Sequence, residues 1–249
     1  MRFFPTNTRA RRLVVALAVV VVLTPLCGLG LWQLAGARTF QFYGGLVSSV
    51  ETSAKVVALT FDDGPDPAGA RRTLDELAAR EVPATFYLTG HELAAHPELG
   101  RAVAEAGHEI GNHSFSHDRM VFVTPGRVAD EVERTDELIR ATGYRGPITF
   151  RPPNGKKLLV LPRYLDQHGR TTVMWDVEPN SYPEVDRSAE ATARHVVDNA
   201  RPGSIVLLHS MYQGRQASRD AIGPIVDRLR ERGYRFVTVS ELLAMGPPR

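Results

Sequence analysis

The chain has 249 residues, of which 43% are hydrophobic and 23% charged, as in ordinary globular proteins. Its formal net charge is +2, but the first twelve residues carry four arginines and no acid, so the rest carries −2 and offers no basic surface for nucleic acid. The single cysteine, Cys27, excludes disulfides and thiolate metal sites from the remainder. A bound metal would therefore need His, Asp or Glu ligands.

The first predicted element is an apolar segment at 13–34, whose 22 uncharged residues are enough to cross a bilayer as a helix. The arginines before it predict a cytoplasmic basic segment at 1–12 and an extracytoplasmic body, as in a single-pass cell-membrane protein. A cleaved signal sequence is the alternative, because Ala-Gly-Ala at 35–37 resembles a signal-peptidase site. Cleavage would release a secreted protein, so both interpretations place the body outside the cytoplasm.

The segment 35–55, with paired glycines and paired serines, is interpreted as a stalk, and 56–249 as one catalytic domain. Short apolar segments predict strands at 56–61, 84–88, 108–112, 148–151, 171–175, 204–208 and 236–239. Amphipathic stretches predict helices at 68–80, 97–106, 125–142, 188–200 and 218–232. This alternation predicts a parallel sheet, either a closed barrel or an open doubly wound sheet. In both, chemistry gathers at the carboxyl ends of the strands.

Two polar motifs follow predicted strands. Asp62 and Asp63 are adjacent in TFDDGP, and neighbouring side chains on an extended chain point opposite ways, so the two carboxylates should have different roles. His113 and His117 are spaced i, i+4, which would place both imidazoles on one face of a helical turn. Alone, the first motif suits a turn and the second two surface histidines. Together, one Asp and two His supply three metal ligands and leave a position for water.

Three further motifs lie at strand ends. Arg151 begins Arg-Pro-Pro-Asn-Gly, where a permanent cation could hold a carboxylate and the prolines stiffen the loop. The segment 175–182, WDVEPNSY, follows the fifth predicted strand. His209 ends the sixth, a position that favours a general acid over a buried structural histidine. The other histidines, at 91, 96, 108, 168 and 195, have no such placement.

Taken in order, TFDDGP, HSFSH, FRPPNG and LLHS closely resemble the motifs of the polysaccharide deacetylases of carbohydrate esterase family four, which share the NodB-homology domain. The resemblance covers about 56–243. It implies an α/β fold, a distorted (β/α)7 barrel in a single domain after the N-terminal transmembrane helix, and a divalent metal ion, usually zinc.

The resemblance also implies residue roles, carried over by matching positions. The metal ligands would be Asp63, His113 and His117. The general base would be Asp62, its partner Arg151 and the general acid His209. The loop at Pro152 and Asn154 would contact substrate, with the Asn154 N–H donating to the oxyanion.

Two positions depart from the family pattern. The family commonly has Tyr or Phe where this chain has Asn154, so an aromatic wall of the site is lost. Its fourth motif usually ends in Asp-Trp, and the aligned pair here is Ser181 and Tyr182. Because that Asp normally tunes the acid histidine, Asp176 and Glu178 are the candidates to replace it.

The predicted function is metal-dependent hydrolysis of N-acetyl groups on amino sugars of extracytoplasmic polysaccharide. Peptidoglycan is the first candidate substrate, because an enzyme anchored outside the membrane meets the cell wall first, and a chitin-like glycan is the second. Two alternatives stay open. The domain could bind glycan without catalysis, or it could hydrolyse a different amide or ester, since function resides in the site and not in the fold.

Overall fold

The computed structural model describes residues 8–246. Parts of the predicted segments 1–12 and 56–249 therefore lie outside the described residues. The first element is helix α1, Thr8–Ala35, which contains the predicted apolar segment and is exposed along most of its length. Its stretch from Arg11 to Ala35 is long and apolar enough to cross a membrane, a property that anchors and signal sequences share.

The remaining elements alternate as expected for an α/β domain. The strands are β1 Leu46–Val47, β2 Val56–Asp62, β3 Thr85–Leu88, β4 Glu109–Asn112, β5 Thr172–Val173, β6 Ser204–Leu208 and β7 Arg235–Val237. The helices are α2 Ala70–Ala78, α3 Gly90–Ala95, α4 Pro97–Glu105, α5 Pro125–Ala141, α6 Val160–Gln167, α7 Ala189–Asn199, α8 Gln216–Glu231 and α9 Val239–Ala244. Short 3-10 turns lie at Pro153–Gly155 and Gln213–Arg215.

The strands follow one another around a ring. On one edge β2 pairs with β6, and on the other it pairs with β7 through its first half and with β3 through its second half. All these pairs are parallel, as is the pair of β3 and β4. From β4 the ring continues through single bridges of Phe150 to Asn112 and to Thr172, the first residue of β5. The pattern is that of a distorted parallel barrel, in agreement with the predicted fold.

The ring closes through residues that the sequence analysis places in a stalk. Strand β1 pairs with β5, and Ser49 bridges Ser204 at the start of β6. Val47 and Val50 are buried in one apolar cluster with strands β2, β5 and β6. The stalk interpretation therefore does not hold for residues 46–50, which are part of the barrel. Conversely, the predicted strand at 148–151 contributes only the bridges of Phe150.

Every residue of β2 is buried, which explains its nearly continuous apolar run and its central place in the barrel. Two flanking helices, α5 and α7, start within one residue of the predicted positions. Thr124 accepts a hydrogen bond from Arg127 N at the start of α5, and Ser188 accepts one from Ala191 N at the start of α7. Because the strands are parallel, their carboxyl ends meet on one face of the barrel. Asp62 is the last residue of β2, and His209 directly follows β6.

Candidate active site

A cavity of about 350 Å³ opens at the carboxyl ends of the strands. Its wall includes residues from four of the predicted motifs, namely Asp62, His113, His117, Asn154 and His209. These five residues therefore line one cavity, although they are spread over about 150 positions of the chain.

Asp63, His113 and His117 form a set of donors suited to a divalent cation. One ligand atom from each lies within 4.8 Å of the others. His117 Nε2 is 3.2 Å and His113 Nε2 is 3.8 Å from Asp63 Oδ1. Asp63 Oδ1 is buried and has no hydrogen-bond donor within the described part of the chain. An unpaired buried carboxylate oxygen facing two imidazole nitrogens is the arrangement that a bound cation would satisfy.

The protonation of these groups also suits metal binding. Burial lowers the pKa of His113 well below its usual value, and the charge of His117 adds to this effect. Burial likewise lowers the pKa of His117. His113 Nδ1 donates to the Arg151 carbonyl oxygen at 2.7 Å, which leaves its Nε2 lone pair directed into the site. Burial, with the neighbouring Asp62, raises the pKa of Asp63 to about 7, and a bound cation would favour its ionised form.

The segment from His113 to His117 is a loop and not the helical turn that the spacing predicts. Ser114 and His117 have positive φ angles of 63° and 61°, which turn the loop back on itself. The buried carboxylate of Glu131, on α5, accepts from the N–H groups of Phe115 and Ser116 and from the Ser116 hydroxyl. The imidazoles therefore meet because a distant acid holds the loop, and a local periodicity does not reveal that contact.

Asp62 is fixed by a buried ion pair. Arg151 Nη1 donates to Asp62 Oδ1 at 2.6 Å, and both side chains are almost completely buried. The guanidinium also donates to Thr60 Oγ1 and to the carbonyls of Val173 and Met174. These hydrogen bonds hold it in one orientation. The other Asp62 oxygen, Oδ2, lies 3.6 Å from His113 Nε2, beside the candidate metal position. This geometry suits a base that faces the site from a rigid support.

Asn154 occupies the turn that follows the two prolines. Its φ and ψ of 54° and 18° are left-handed, a conformation that asparagine tolerates better than most residues. Its side chain is exposed and lines the cavity, while Pro152 is buried and extended before the turn. The wall beside them is formed by Trp175, which keeps one aromatic side chain at the cavity despite the asparagine.

His209 is oriented by Asn180, a residue that the sequence analysis does not select. The Asn180 side-chain oxygen lies 3.1 Å from His209 N and 3.2 Å from its Nδ1. Because an amide oxygen only accepts, Nδ1 carries a proton and Nε2 is left for the cavity. The Asn180 amide donates to Asp186 Oδ1 at 2.5 Å and to Ser218 Oγ, which sets its orientation. Burial lowers the pKa of His209 to about 4.

Neither of the predicted tuning residues contacts His209 within the described residues. Asp176 accepts from Ser204 Oγ and Ile205 N at the start of β6, at the opposite end of the strand from His209. Glu178 lines the cavity, but its carboxylate accepts from Trp175 Nε1 and from Arg38. Asn180 lies in the same motif, two residues after Glu178. Because its amide does not titrate, the sequence does not mark it as a partner of His209.

Replacing Asn180 with aspartate is expected to move the alkaline limb of the kcat/KM profile to higher pH by about one unit or more. The general acid predicted at His209 must be protonated, and an adjacent carboxylate favours imidazolium, so activity would persist to higher pH than with the neutral amide. The measurement is the pH dependence of acetate release. Asn199→Asp, at an amide that donates to the His195 carbonyl within its own helix, is the matched control and should leave the limb in place. An unmoved limb in Asn180→Asp would show that the contact does not govern His209.

Comparisons with known proteins identify the family of this chain. The family model described as polysaccharide deacetylase matches residues 49–173. The chain is 35% identical over 204 residues to a peptidoglycan-N-acetylglucosamine deacetylase of Bacillus cereus, covering 80% of this chain and 93% of that protein. It is 33% identical to the peptidoglycan-N-acetylmuramic acid deacetylase PdaC of Bacillus subtilis, covering 78% of this chain and 40% of that protein.

Solved structures extend the comparison to the fold. The peptidoglycan N-acetylglucosamine deacetylase Bc1960 superposes with a TM-score of 0.74 at 33% identity, covering 81% of this chain and 94% of that chain. A mutant of a pseudoenzyme of carbohydrate esterase family 4, with restored enzymatic activity, superposes with a TM-score of 0.72 at 26% identity, covering 81% of this chain and 72% of that chain. The same architecture thus occurs in proteins with and without activity.

Proposed function

Because the chain belongs to the polysaccharide deacetylase family, we propose that it is a metal-dependent hydrolase that removes N-acetyl groups from the amino sugars of peptidoglycan outside the cytoplasm. The observation that carries the proposal is the convergence of a complete set of reactive groups on one cavity. A potential base, a potential acid and two potential metal ligands line it, namely Asp62, His209, His113 and His117. The third potential ligand, Asp63, lies within 4.8 Å of the two imidazoles. A module that only binds glycan needs neither the base nor the acid.

Asp63, His113 and His117 would hold a divalent cation, with zinc the candidate for this ligand set. When bound, the cation supplies Lewis acidity toward the acetyl carbonyl and lowers the pKa of a coordinated water. Asp62 takes the proton of the attacking water at one of its carboxylate oxygens. Arg151 keeps that carboxylate in place through its 2.6 Å ion pair.

His209 donates the proton from Nε2 to the leaving amine of the sugar, since its Nδ1 is bonded to Asn180. In the turn after Pro152, the backbone N–H of Asn154 contributes a donor to the developing oxyanion. The products are acetate and a free amino sugar. The reaction requires a protonated His209, whose pKa burial lowers to about 4, so activity should fall as pH increases.

Helix α1 supports an extracytoplasmic, membrane-anchored location. Its apolar stretch is long enough to span the bilayer, and Arg11 and Arg12 stand at the start of that stretch with no acid among the first twelve residues. Such an excess of arginine favours a cytoplasmic amino end. The domain that follows α1 would then face the cell wall, which contains the peptidoglycan that the names of its relatives specify.

The first experiment is to measure acetate release from N-acetylglucosamine oligomers and from purified peptidoglycan, with and without a chelator. We expect release that a chelator abolishes and added zinc restores, because the proposed reaction depends on the cation that the three side chains hold. Glycan binding without acetate release would identify a binding module, an outcome that the similarity to a pseudoenzyme makes worth testing. Release that persists without metal would contradict the proposed mechanism.

A further inference from the structure

Helix α1 runs directly into the catalytic domain. Its last residue, Ala35, is completely buried against Val121 and Leu158. The Ala35 carbonyl accepts a hydrogen bond from Lys157 N at 2.9 Å. One turn earlier, the Trp32 carbonyl accepts from Lys156 Nζ at 3.0 Å, and the same ammonium lies 4.2 Å from the centre of the Trp32 ring. The helix and the domain are therefore joined by packing, without an intervening flexible segment.

Large apolar side chains surround this junction and are exposed. Phe122, which is 83% exposed, directly follows Val121, and Leu159 directly follows Leu158. Tyr43 lines a surface depression together with Leu159. Phe40 and Phe42, which lie between α1 and Tyr43, form an edge-to-face aromatic pair. We call these five residues the collar: Phe40, Phe42, Tyr43, Phe122 and Leu159. A cluster of exposed aromatic residues is unfavourable in water and typical of the interface of a membrane.

Basic side chains lie beside the collar. The Arg119 guanidinium is 6.0 Å from the centre of the Trp32 ring, and Lys156 lies closer still to the same ring. Arg163 lines the depression formed by Tyr43 and Leu159. Aromatic residues next to lysine and arginine match the chemistry of a bilayer surface, where apolar and anionic groups occur within a few ångströms of each other.

The length of α1 places the collar at the depth of the lipid headgroups. About 20 helical residues cross the hydrocarbon core at 1.5 Å per residue. Counting from Arg12, that distance ends near Trp32, an amphipathic residue common at the interface. Ala35 is then only about 5 Å farther along the helix axis. Phe122 and Leu159 adjoin the residues that pack on Ala35, and Tyr43 lines a depression with Leu159, so this side of the collar falls in the headgroup region.

We propose that the collar lies in the outer leaflet of the bilayer that α1 spans, so that the catalytic domain is seated on the membrane. The inference rests on the proposed function in one respect, namely that α1 stays attached as an anchor. The position of the collar also has a consequence for the substrate. Gly36 and Arg38, which directly follow α1, form part of the cavity wall, so the cavity opens close to the membrane surface. The enzyme would therefore act on glycan whose distance from the bilayer surface is no more than about the height of the catalytic domain.

The test is depth-dependent fluorescence quenching on the full chain in vesicles of phosphatidylcholine and phosphatidylglycerol. Cys27 is replaced by serine, and a single cysteine is introduced by Phe122→Cys, Leu159→Cys or Glu105→Cys and labelled with an environment-sensitive fluorophore. Glu105 is the matched control, because it is exposed at the end of α4, which precedes the amino end of β4. Lipids brominated near the headgroup should quench the first two probes at least twofold more than the control.

Equal quenching of all three probes would overturn the seating of the collar, as would isolation of the chain from membranes in a form cleaved after Ala37. Acetate release is measured on the same vesicles and answers a separate question. Acetate release with unquenched probes would support the proposed activity and contradict only the position of the collar in the bilayer. Quenched probes without acetate release would support the position of the collar in the bilayer and contradict the proposed activity.

Discussion

The Asp62→Asn variant is expected to lose about 10²–10⁴-fold in kcat while it still binds the metal ion. The side-chain amide cannot accept the proton of the attacking water, but it keeps the shape of the carboxylate. The proposed metal ligands Asp63, His113 and His117 are unchanged in this variant. The measurements are acetate release and zinc content on the same preparation. A rate near that of the unchanged protein would show that Asp62 is not the base.

Loss of the buried ion pair must be separated from loss of the base. Arg151 would keep its hydrogen bonds to Thr60 and to two carbonyls but lose its anionic partner, at a cost of up to about 3–5 kcal/mol in the free energy of unfolding. Thermal unfolding and zinc content show whether the variant is folded. Asp227→Asn is the control, because it removes an aspartate paired with Arg80 on the surface and should leave turnover unchanged.

Replacing His113 with alanine is expected to abolish activity by removing the metal ion. His113 is buried, and its Nδ1 is held by the Arg151 carbonyl, so its Nε2 is preorganised as a ligand. Changes in the partners of metal ligands already cost about 10–100-fold in affinity, and loss of the ligand itself should cost at least as much. Zinc affinity by calorimetry, with acetate release alongside, is the measurement.

Two further variants sharpen this result. His117→Ala should weaken zinc binding as well, since its Nε2 lies 3.2 Å from the unpaired oxygen of Asp63. His168→Ala is the control, because that imidazole stacks on Tyr164 and bonds its carbonyl, away from the cavity. Stoichiometric zinc and normal turnover in His113→Ala would contradict the ligand set, whereas a drop in His168→Ala would point to a general loss of folding.

Much of this fold can be predicted because its strands are short, apolar and separated by amphipathic helices. Parallel strands present chemistry at their carboxyl ends, and this rule alone is enough to assign Asp62 and His209 to the same face of the barrel. The ordered motifs add the family. The motifs do not predict the conformation of the loops between them, and that conformation determines how the side chains meet.

The unpredicted parts depend on contacts between distant residues. The His113–His117 loop is closed by Glu131, and His209 is oriented by Asn180, which Asp186 holds in turn. Neither Glu131 nor Asn180 stands out by periodicity, and an amide carries no charge that would mark it as a partner of histidine. Asp176 and Glu178 are the natural candidates because they titrate, yet the path of the chain directs both of them elsewhere.

The position of β1 limits how this protein can be shortened. Leu46 and Val47 pair with β5, and Ser49 bridges β6, so these few residues complete the barrel between two strands far along the chain. A soluble version cut immediately before Val56 would open the ring there and expose the apolar side chains that Val47 and Val50 cover. Any detached form of the enzyme must therefore begin ahead of Leu46, among the aromatic residues that follow the helix.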